Sequence, residues 1–234
     1  IQEYNVQHQI TSYDMPIILY LVDACQSVGQ MPVNVREMCA HGLAATGRKY
    51  LRAPRGTGFL YVRLDVCNKL IPSQIDHYCA PVVSLPTIHS EESAVGLENS
   101  IEYAFREGAS RFEFWESSIA NRLGLAIAIQ YAMDEVGIDV VTEKISERAS
   151  ELRSRLQAID AVRLHHPDSS SSGIITFSLE GISADKAKEL FWDDNEGPRF
   201  DVSVVPLTST PVDSAQCQVN NLLRASVSYT TTRG

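Results

Sequence analysis

The chain has no apolar run long enough to cross a bilayer as a helix, which takes about 20 residues, and no basic-then-apolar leader opens it. Positive charge is in short supply: 20 Lys and Arg stand against 29 Asp and Glu, a formal net charge of -9 over 234 residues. That balance argues against a nucleic-acid partner and for solubility. Cysteine is sparse and unpatterned. Cys25, Cys39, Cys67, Cys79 and Cys217 are odd in number and form no C-x-x-C, so they signal neither a zinc site nor a disulfide framework. Reduced thiols and a cytoplasmic setting are expected. Histidine points to no metal either. His77 and His89 lack partners at ligand spacing, and His165 and His166 are adjacent next to a strand-like stretch, where neighbouring side chains point to opposite faces. No metal, membrane or nucleic acid is expected as a partner.

What the chain does have is concentrated between Ile17 and Arg63. An apolar run, Ile17 to Val22, stops at Asp23. A polar segment follows, with Pro32 and a one-turn amphipathic piece around Val35 and Met38. A second run, Leu43-Ala44-Ala45, stops at Thr46-Gly47-Arg48-Lys49, and after the turn Gly56-Thr57-Gly58 comes a third, Phe59 to Val62. Short continuous apolar runs bounded by turn residues predict strands buried on both faces, central in their sheet. In open α/β sheets, ligands sit beyond the carboxyl ends of such strands. Asp23 and Lys49 both fall there.

One chemistry needs an acid at one strand end and a lysine at another. Pyridoxal 5'-phosphate is held through a lysine amine, and a carboxylate facing its pyridine nitrogen keeps that ring protonated and able to accept electrons. Each residue alone has a plainer reading: an Asp after a strand is usually a turn residue, and a Lys there is usually a solvated charge. The ordered pattern carries more. D-A-C-Q from Asp23, T-G-R-K-Y-L from Thr46 and P-R-G-T-G-F-L-Y-V from Pro54 resemble the cofactor core of the class V aminotransferase family of fold-type I enzymes. That family includes cysteine desulfurases, isopenicillin-N epimerase and hercynylcysteine sulfoxide lyase. The resemblance implies an α/β fold with a mostly parallel sheet in a large domain and a small C-terminal α+β domain. It makes Lys49 the Schiff-base lysine, Asp23 the pyridine partner and Gln26 the hydrogen-bonding partner of the ring's phenolic oxygen. Thr46 and Arg48 stand where the family places phosphate ligands. Arg48 replaces the histidine desulfurases carry, and a guanidinium still meets phosphate with two bonds. A homodimer and an amino-acid substrate are further implications. The family lysine lies past the middle of the chain, whereas here it is residue 49, so the chain resembles only the back half of such an enzyme.

The remaining sequence predicts the second domain. Ile119, Leu123, Ala126, Ile127, Gln130 and Tyr131 recur at helical spacing, with Ser117 or Ser118 as N-cap. Residues 142–160 predict an amphipathic helix with Ile145, Ala149, Leu152 and Leu156 on one stripe and a Glu151/Arg155 pair on the other face. Strands are expected at Val162 to Leu164, Gly173 to Leu179, Asp201 to Val205 and Leu222 to Tyr229, with a helix capped by Ser183. This order predicts helices over one face of an antiparallel sheet. The expected division is 1–118 for the cofactor-binding part and 119–234 for the small domain.

Arg224, in L-L-R-A-S-V, matches the family arginine that clamps the substrate's α-carboxylate. The R-F-E-F-W-E-S-S segment from Arg111 resembles the lyase and epimerase branch. It puts Trp115 and Glu116 where desulfurases have the Gly and Thr of an intersubunit phosphate contact, so Trp115 is expected to be either a pocket wall or plain core or interface. Desulfurases need a nucleophilic cysteine well before the arginine, but Val205 to Thr210 holds none and Cys217 lies too close to Arg224. The expected reaction is therefore acid–base work at Cα by Lys49 and Asp23. First comes β-elimination at a cysteine S-conjugate or sulfoxide, as in hercynylcysteine sulfoxide lyase. Epimerisation and transamination are alternatives. From a different class comes an inactive chain serving only as a dimerising module.

Overall fold

The computed structural model describes residues 18–84, 102–165, 172–193, 201–206 and 221–231. Contacts divide the protein into two compact units. One holds the chain up to Gln26 together with Asn34–Ile129; the other holds Ser27–Val33 and the chain from Gln130 onward. The junction thus falls inside a helix rather than at 118/119, and a short excursion just after Gln26 belongs to the second unit.

The first unit is built on three strands, β1 (Leu21–Asp23), β2 (Gly42–Thr46) and β3 (Gly58–Val62), in the order β1-β2-β3. β1 and β2 are parallel, with Asp23 opposite Ala44. Residues 24–41 supply the crossover of a dozen or more residues that parallel pairing needs. β3 runs antiparallel to β2, with Thr46 opposite Gly58, because residues 47–57 double straight back. A four-residue helix α1 (Leu64–Cys67), a small antiparallel pair of β4 (Val82–Ser84) and β5 (Glu102–Tyr103), a 3-10 turn at Gly108–Phe112 and helix α2 (Ile119–Gln130) complete the described elements. Ser118 is the N-cap of α2: its hydroxyl accepts the Asn121 N–H at 3.3 Å and its carbonyl the Arg122 N–H at 3.0 Å.

Burial in this unit differs from the sequence expectation. Leu43 and Ala45 are buried, but Ala44 between them is exposed. Side chains alternate across a strand, so only one face of β2 is covered. β1 and β3 are edges among the described residues, and Leu21 is 66% exposed. The apolar stripe of α2 is likewise uncovered, with Ile119 at 72% exposed. Of the runs that read as buried on both faces, β2 is covered on one, and β3 leaves both Phe59 and Leu60, on opposite faces, exposed among the described residues.

Two buried side chains, to which the sequence patterns assigned no role, hold this unit together. Arg111 is buried; its Nη1 donates to the carbonyls of Cys67 and Leu70 at 3.2 Å each, closing the end of α1, and its Nε donates to the Arg106 carbonyl at 3.1 Å. A buried guanidinium is tolerated because its donors are used. His41, also buried, extends the β1–β2 ladder: its Nδ1 accepts the Tyr20 N–H at 3.0 Å, and its own N–H donates to the Tyr20 carbonyl at 2.9 Å.

The second unit is a four-stranded antiparallel sheet, β6 (Val162–Leu164), β7 (Ile174–Leu179), β8 (Ser203–Pro206) and β9 (Asn221–Ser226), in the order β6-β7-β9-β8. Helices α3 (Ile138–Gln157) and α4 (Ala184–Asp193) pack against it. Phe177, Ala184, Ala187, Val202 and Leu223 form a buried cluster joined by Leu156 of α3 and Phe191 of α4, so both helices share one face of the sheet. Val141, Ile145 and Ala149 bury the stripe of α3 at the spacing the sequence predicts. Full burial of Ile145, Ile175, Leu222 and Leu223 stabilises by roughly 1.5–3 kcal/mol each. α3 starts earlier than the pattern suggests, because Gly137, at φ +84°, ends the preceding π-helical stretch Tyr131–Val136 and lets the chain restart at once. Ser183 caps α4 by accepting the Lys186 N–H at 3.3 Å, and Glu151 pairs with Arg155 at 2.7 Å. No described helix is long and apolar enough to cross a membrane.

Burial, and then the nearby Arg63 charge, push the His41 pKa below its ordinary 6.5, and the Tyr20 bond needs a neutral ring nitrogen. A depressed folded pKa contributes stability above the unfolded value and loses it as pH falls below that value. The first unit should therefore lose stability as pH drops from about 6.5 towards 4.5, before carboxylates titrate. Urea melts across that range should show the slope. His41→Asn, which offers an acceptor that does not titrate, should flatten it.

Candidate active site

The parallel pairing puts the ends of β1 and β2 side by side, and the ladder continues one residue further through the Ala24 N–H to the Ala44 carbonyl at 2.8 Å. Asp23 turns its Oδ1 back to accept the Cys25 N–H at 2.9 Å, an Asx-type turn that stops the strand. Hydrogen bonds from Cys25, first the thiol and then the N–H, hold the Asp23 carboxyl below its ordinary value, and the Lys49 ammonium adds to the effect. Conversely, Asp23 and then burial push the Cys25 thiol up, while the Thr46 backbone and Lys49 work in the opposite direction. Asp23 and Lys49 thus lie in each other's field, and Cys25 between them also lies beside the Thr46 backbone.

The turn that carries Lys49 is held from inside. The Gly47 N–H donates to the Thr57 carbonyl and the Ala53 N–H to the Gly47 carbonyl, both at 2.9 Å, and the Arg52 N–H returns to the Lys49 carbonyl at 2.9 Å. Thr57 Oγ1 is tied to the Pro54 carbonyl at 2.7 Å. Gly47 has no room for a side chain: a Cβ there would lie 2.3 Å from Thr57 Oγ1, 2.9 Å from Leu125 and 3.0 Å from the Ala53 Cβ. Arg48, exposed, is on the same turn, and half-buried Gln26 follows Asp23 by three positions.

Arg224 belongs to the second unit. It lies on β9 opposite Thr176 of β7 and Ser203 of β8. Its Nε is buried and finds no hydrogen-bond partner among the described residues, a donor suited to an anionic group.

Other sequence candidates have structural tasks. His165 is buried, and its Nε2 hydrogen-bonds Ser178 Oγ at 2.8 Å. Among the described residues no three His, Cys, Asp or Glu side chains gather as metal ligands would. Trp115 is 60% exposed; its N–H donates to Asp76 Oδ2 at 2.8 Å and its ring lies 5.5 Å from that of His77. Backbone N–H groups of Trp115, Cys79 and Tyr78 bring Asp76 down to about 2. Cys217, His89, His166 and residues 207–210 lie outside the described residues. A cleft of about 540 Å³ in the first unit, lined by Phe59, Phe112, Glu113 and Arg122 among others, includes none of the strand-end cluster.

Sequence reasoning missed Cys25 and Gly47. For Cys25 the only signal is its place two residues after the acid. For Gly47 it is a glycine between strand and lysine, read as motif rather than as a space requirement.

The family model described as Aminotransferase class-V matches residues 6–232. A probable cysteine desulfurase of Methanothermobacter thermautotrophicus is 31% identical over 164 residues, 70% of this chain and 37% of that protein. The apo structure of a cysteine desulfurase from Thermococcus onnurineus NA1 superposes with a TM-score of 0.63 at 25% identity, over 90% of this chain and 48% of the other. At 19% identity and a TM-score of 0.63, a C-DES mutant recorded with glycine covalently linked to its PLP cofactor has a similar fold, over 87% of this chain and 46% of its own. The chain spans less than half the length of these relatives.

Gly47→Ala forces a methyl group against Thr57, Leu125 and Ala53. Overpacking of this kind costs about 1–3 kcal/mol. A urea melt of the variant should show that loss, together with faster trypsin cleavage at the displaced Arg48–Lys49 turn.

Proposed function

The chain belongs to the class-V aminotransferase family, and from that membership we propose that it carries the lysine-bearing part of a pyridoxal 5'-phosphate enzyme that cleaves a carbon–sulfur bond in an amino acid. The observation that carries this reading is the convergence of Asp23, Thr46 and Lys49 at the neighbouring ends of β1 and β2. The donor set fits the cofactor: an ionised carboxylate and an ammonium within each other's field, with a hydroxyl and a guanidinium on the same turn.

Bound there, pyridoxal phosphate supplies a sink for negative charge developed at Cα. Lys49 holds the cofactor and then moves the Cα proton. Asp23 would hold a proton on the pyridine nitrogen. Gln26 donates to the phenolic oxygen, and Thr46 and Arg48 bind the phosphate. Arg224 takes the substrate α-carboxylate with its planar fork. The favoured reaction is elimination: the Cα proton leaves to Lys49, the Cβ–S bond breaks, sulfur departs with its electron pair, and water releases pyruvate and ammonia. A cysteine S-conjugate or its sulfoxide, of the hercynylcysteine type, is the proposed substrate. Epimerisation or transamination would use the same lysine with a different destination for the proton. The desulfurase names of the relatives favour a second reading, in which an enzyme thiol takes the sulfur as persulfide and alanine leaves. The absence of cysteine between Val205 and Thr210 supports the first. Homodimerisation is part of the proposal.

Titration of the chain with pyridoxal phosphate should give a visible band that borohydride removes and that Lys49→Ala lacks. A reducible band that survives in Lys49→Ala would overturn the assignment. No band at all, with a dimer mass by light scattering, would leave a dimerising module.

The whole enzyme, offered S-substituted cysteines, should release pyruvate and keep its rate within about a few-fold in Cys217→Ala, because a thiol that is not the nucleophile contributes little to the barrier. Alanine and a persulfide in place of pyruvate, with loss of activity in that variant, would establish the desulfurase reading instead.

A further inference from the structure

Directly after Gln26 the chain enters Ser27–Val33, which belong to the second unit. One side chain holds that excursion there. Gln30 is 2% exposed, and its Oε1 accepts the Gly173 N–H at 3.0 Å, a buried bond between residues 143 positions apart. Gly173 comes just before β7, and its carbonyl already takes the Val227 N–H at 2.8 Å. A Cβ on Gly173 would lie 2.8 Å from Ile145 Cγ2, 2.8 Å from the Val227 carbonyl and 3.4 Å from Gln30 Oε1. Helix α3, the chain just after β9 and Gln30 therefore all close on the space a glycine leaves. The Gln30 carbonyl faces Thr142 Oγ1 of α3 at 3.2 Å, and that hydroxyl is shared with the Ile138 carbonyl at 2.7 Å.

The excursion is also stiff. The Ser27 carbonyl accepts both the Gln30 N–H at 3.1 Å and the Met31 N–H at 3.2 Å, and Val28 bridges to Met31. A turn closed in this way moves as one piece, so where Gln30 is pinned, Ser27 is held as well. Ser27 is bonded to Gln26, and Gln26 lies one residue beyond the Cys25 N–H that Asp23 Oδ1 accepts. A surface loop that merely joined β1 to β2 could leave its polar groups to water. This one buries an amide side chain and uses it to satisfy a buried backbone N–H, which needs an acceptor.

We propose that Gln30 is a positioning residue for the end of β1: seated in the second unit, it fixes through the closed turn the point at which the chain leaves Asp23, and so keeps Asp23 and Gln26 where the cofactor needs them. The last clause rests on the roles given to those two residues under the proposed function. The pin itself exists without cofactor and is measured without it.

The experiment is amide hydrogen exchange of the cofactor-free chain, read residue by residue by NMR. Gln30→Met keeps the length of the side chain and removes the acceptor. A buried N–H left unmatched is costly, so the Gly173 amide should exchange about tenfold faster or more. The amides of Ala24 and Cys25, bonded to the Ala44 carbonyl and to Asp23 Oδ1, should speed up with it. That of Gly47, bonded to the Thr57 carbonyl, should keep its rate. Gln30→Glu, which offers an accepting oxygen whether or not it is ionised, should slow Gly173, Ala24 and Cys25 again. A purely local task would move Gly173 alone, so unchanged rates at Ala24 and Cys25 in Gln30→Met would overturn the proposal. A second measurement needs no variant. In the unmodified chain, at urea concentrations below the melt, Ala24 and Cys25 should open with the same urea dependence as Gly173; a different dependence sinks the pin. If the cofactor titration fails while these amides move together, the cofactor reading falls and the pin stands. If the titration succeeds while Ala24 and Cys25 ignore Gln30, the pin falls and the cofactor reading stands.

Discussion

The candidate site depends on one constraint, the parallel pairing of β1 with β2. Parallel strands end on the same edge, so the residues that follow them meet without any long-range search. Asp23 lies opposite Ala44, two residues from the end of β2 at Thr46, for that reason. β3 adds the second half of the arrangement. Because it returns antiparallel to β2, residues 47–57 must reverse at once, and Lys49 is kept at the strand end. Gly47 makes the reversal possible by leaving space for Thr57 and Leu125. An acid and a lysine in each other's field follow from strand direction and one missing side chain.

The rest of the first unit supports that edge. His41 lengthens the ladder at the opposite end of β2, where Tyr20 and His41 exchange hydrogen bonds. Arg111 ties α1 to the segment around Arg106. Asp76 gathers three backbone N–H groups, including that of Trp115, so a segment that reads as a pocket wall is fixed first through its backbone. The second unit has its own core between one sheet face and two helices. Arg224 sits on the strand flanked on both sides, β9, where backbone pairing to β7 and β8 fixes the base of a long side chain.

Much of this was legible. The helical stripe of α3, the Ser183 cap, the Ser118 cap and the strand at Ile174–Leu179 appear where the patterns put them. The Asp23 and Lys49 pattern identified the edge where polar groups would gather. Burial was less legible. Leu21 and the stripe of α2 have the composition of buried elements and are exposed. An apolar run records that a surface prefers cover, not which segment provides it. Asp76 and Arg111 were missed for a related reason. Their partners are mostly backbone groups, which every residue has, so no pairing of residue types marks them.

By itself the sequence determined the elements, their periodicities and the residue types with chemistry, because these depend on neighbours within a turn or two of the chain. It also determined the family, since T-G-R-K and its flanks keep their order whatever the packing. Only the tertiary structure decided which groups touch. The Asp23 carboxylate within the field of Lys49, the packed space around Gly47 and the neutral acceptor nitrogen of His41 each depend on distances between chain segments. Local pattern carries no term for such distances. They are set when one strand lies down beside another in a particular direction and register.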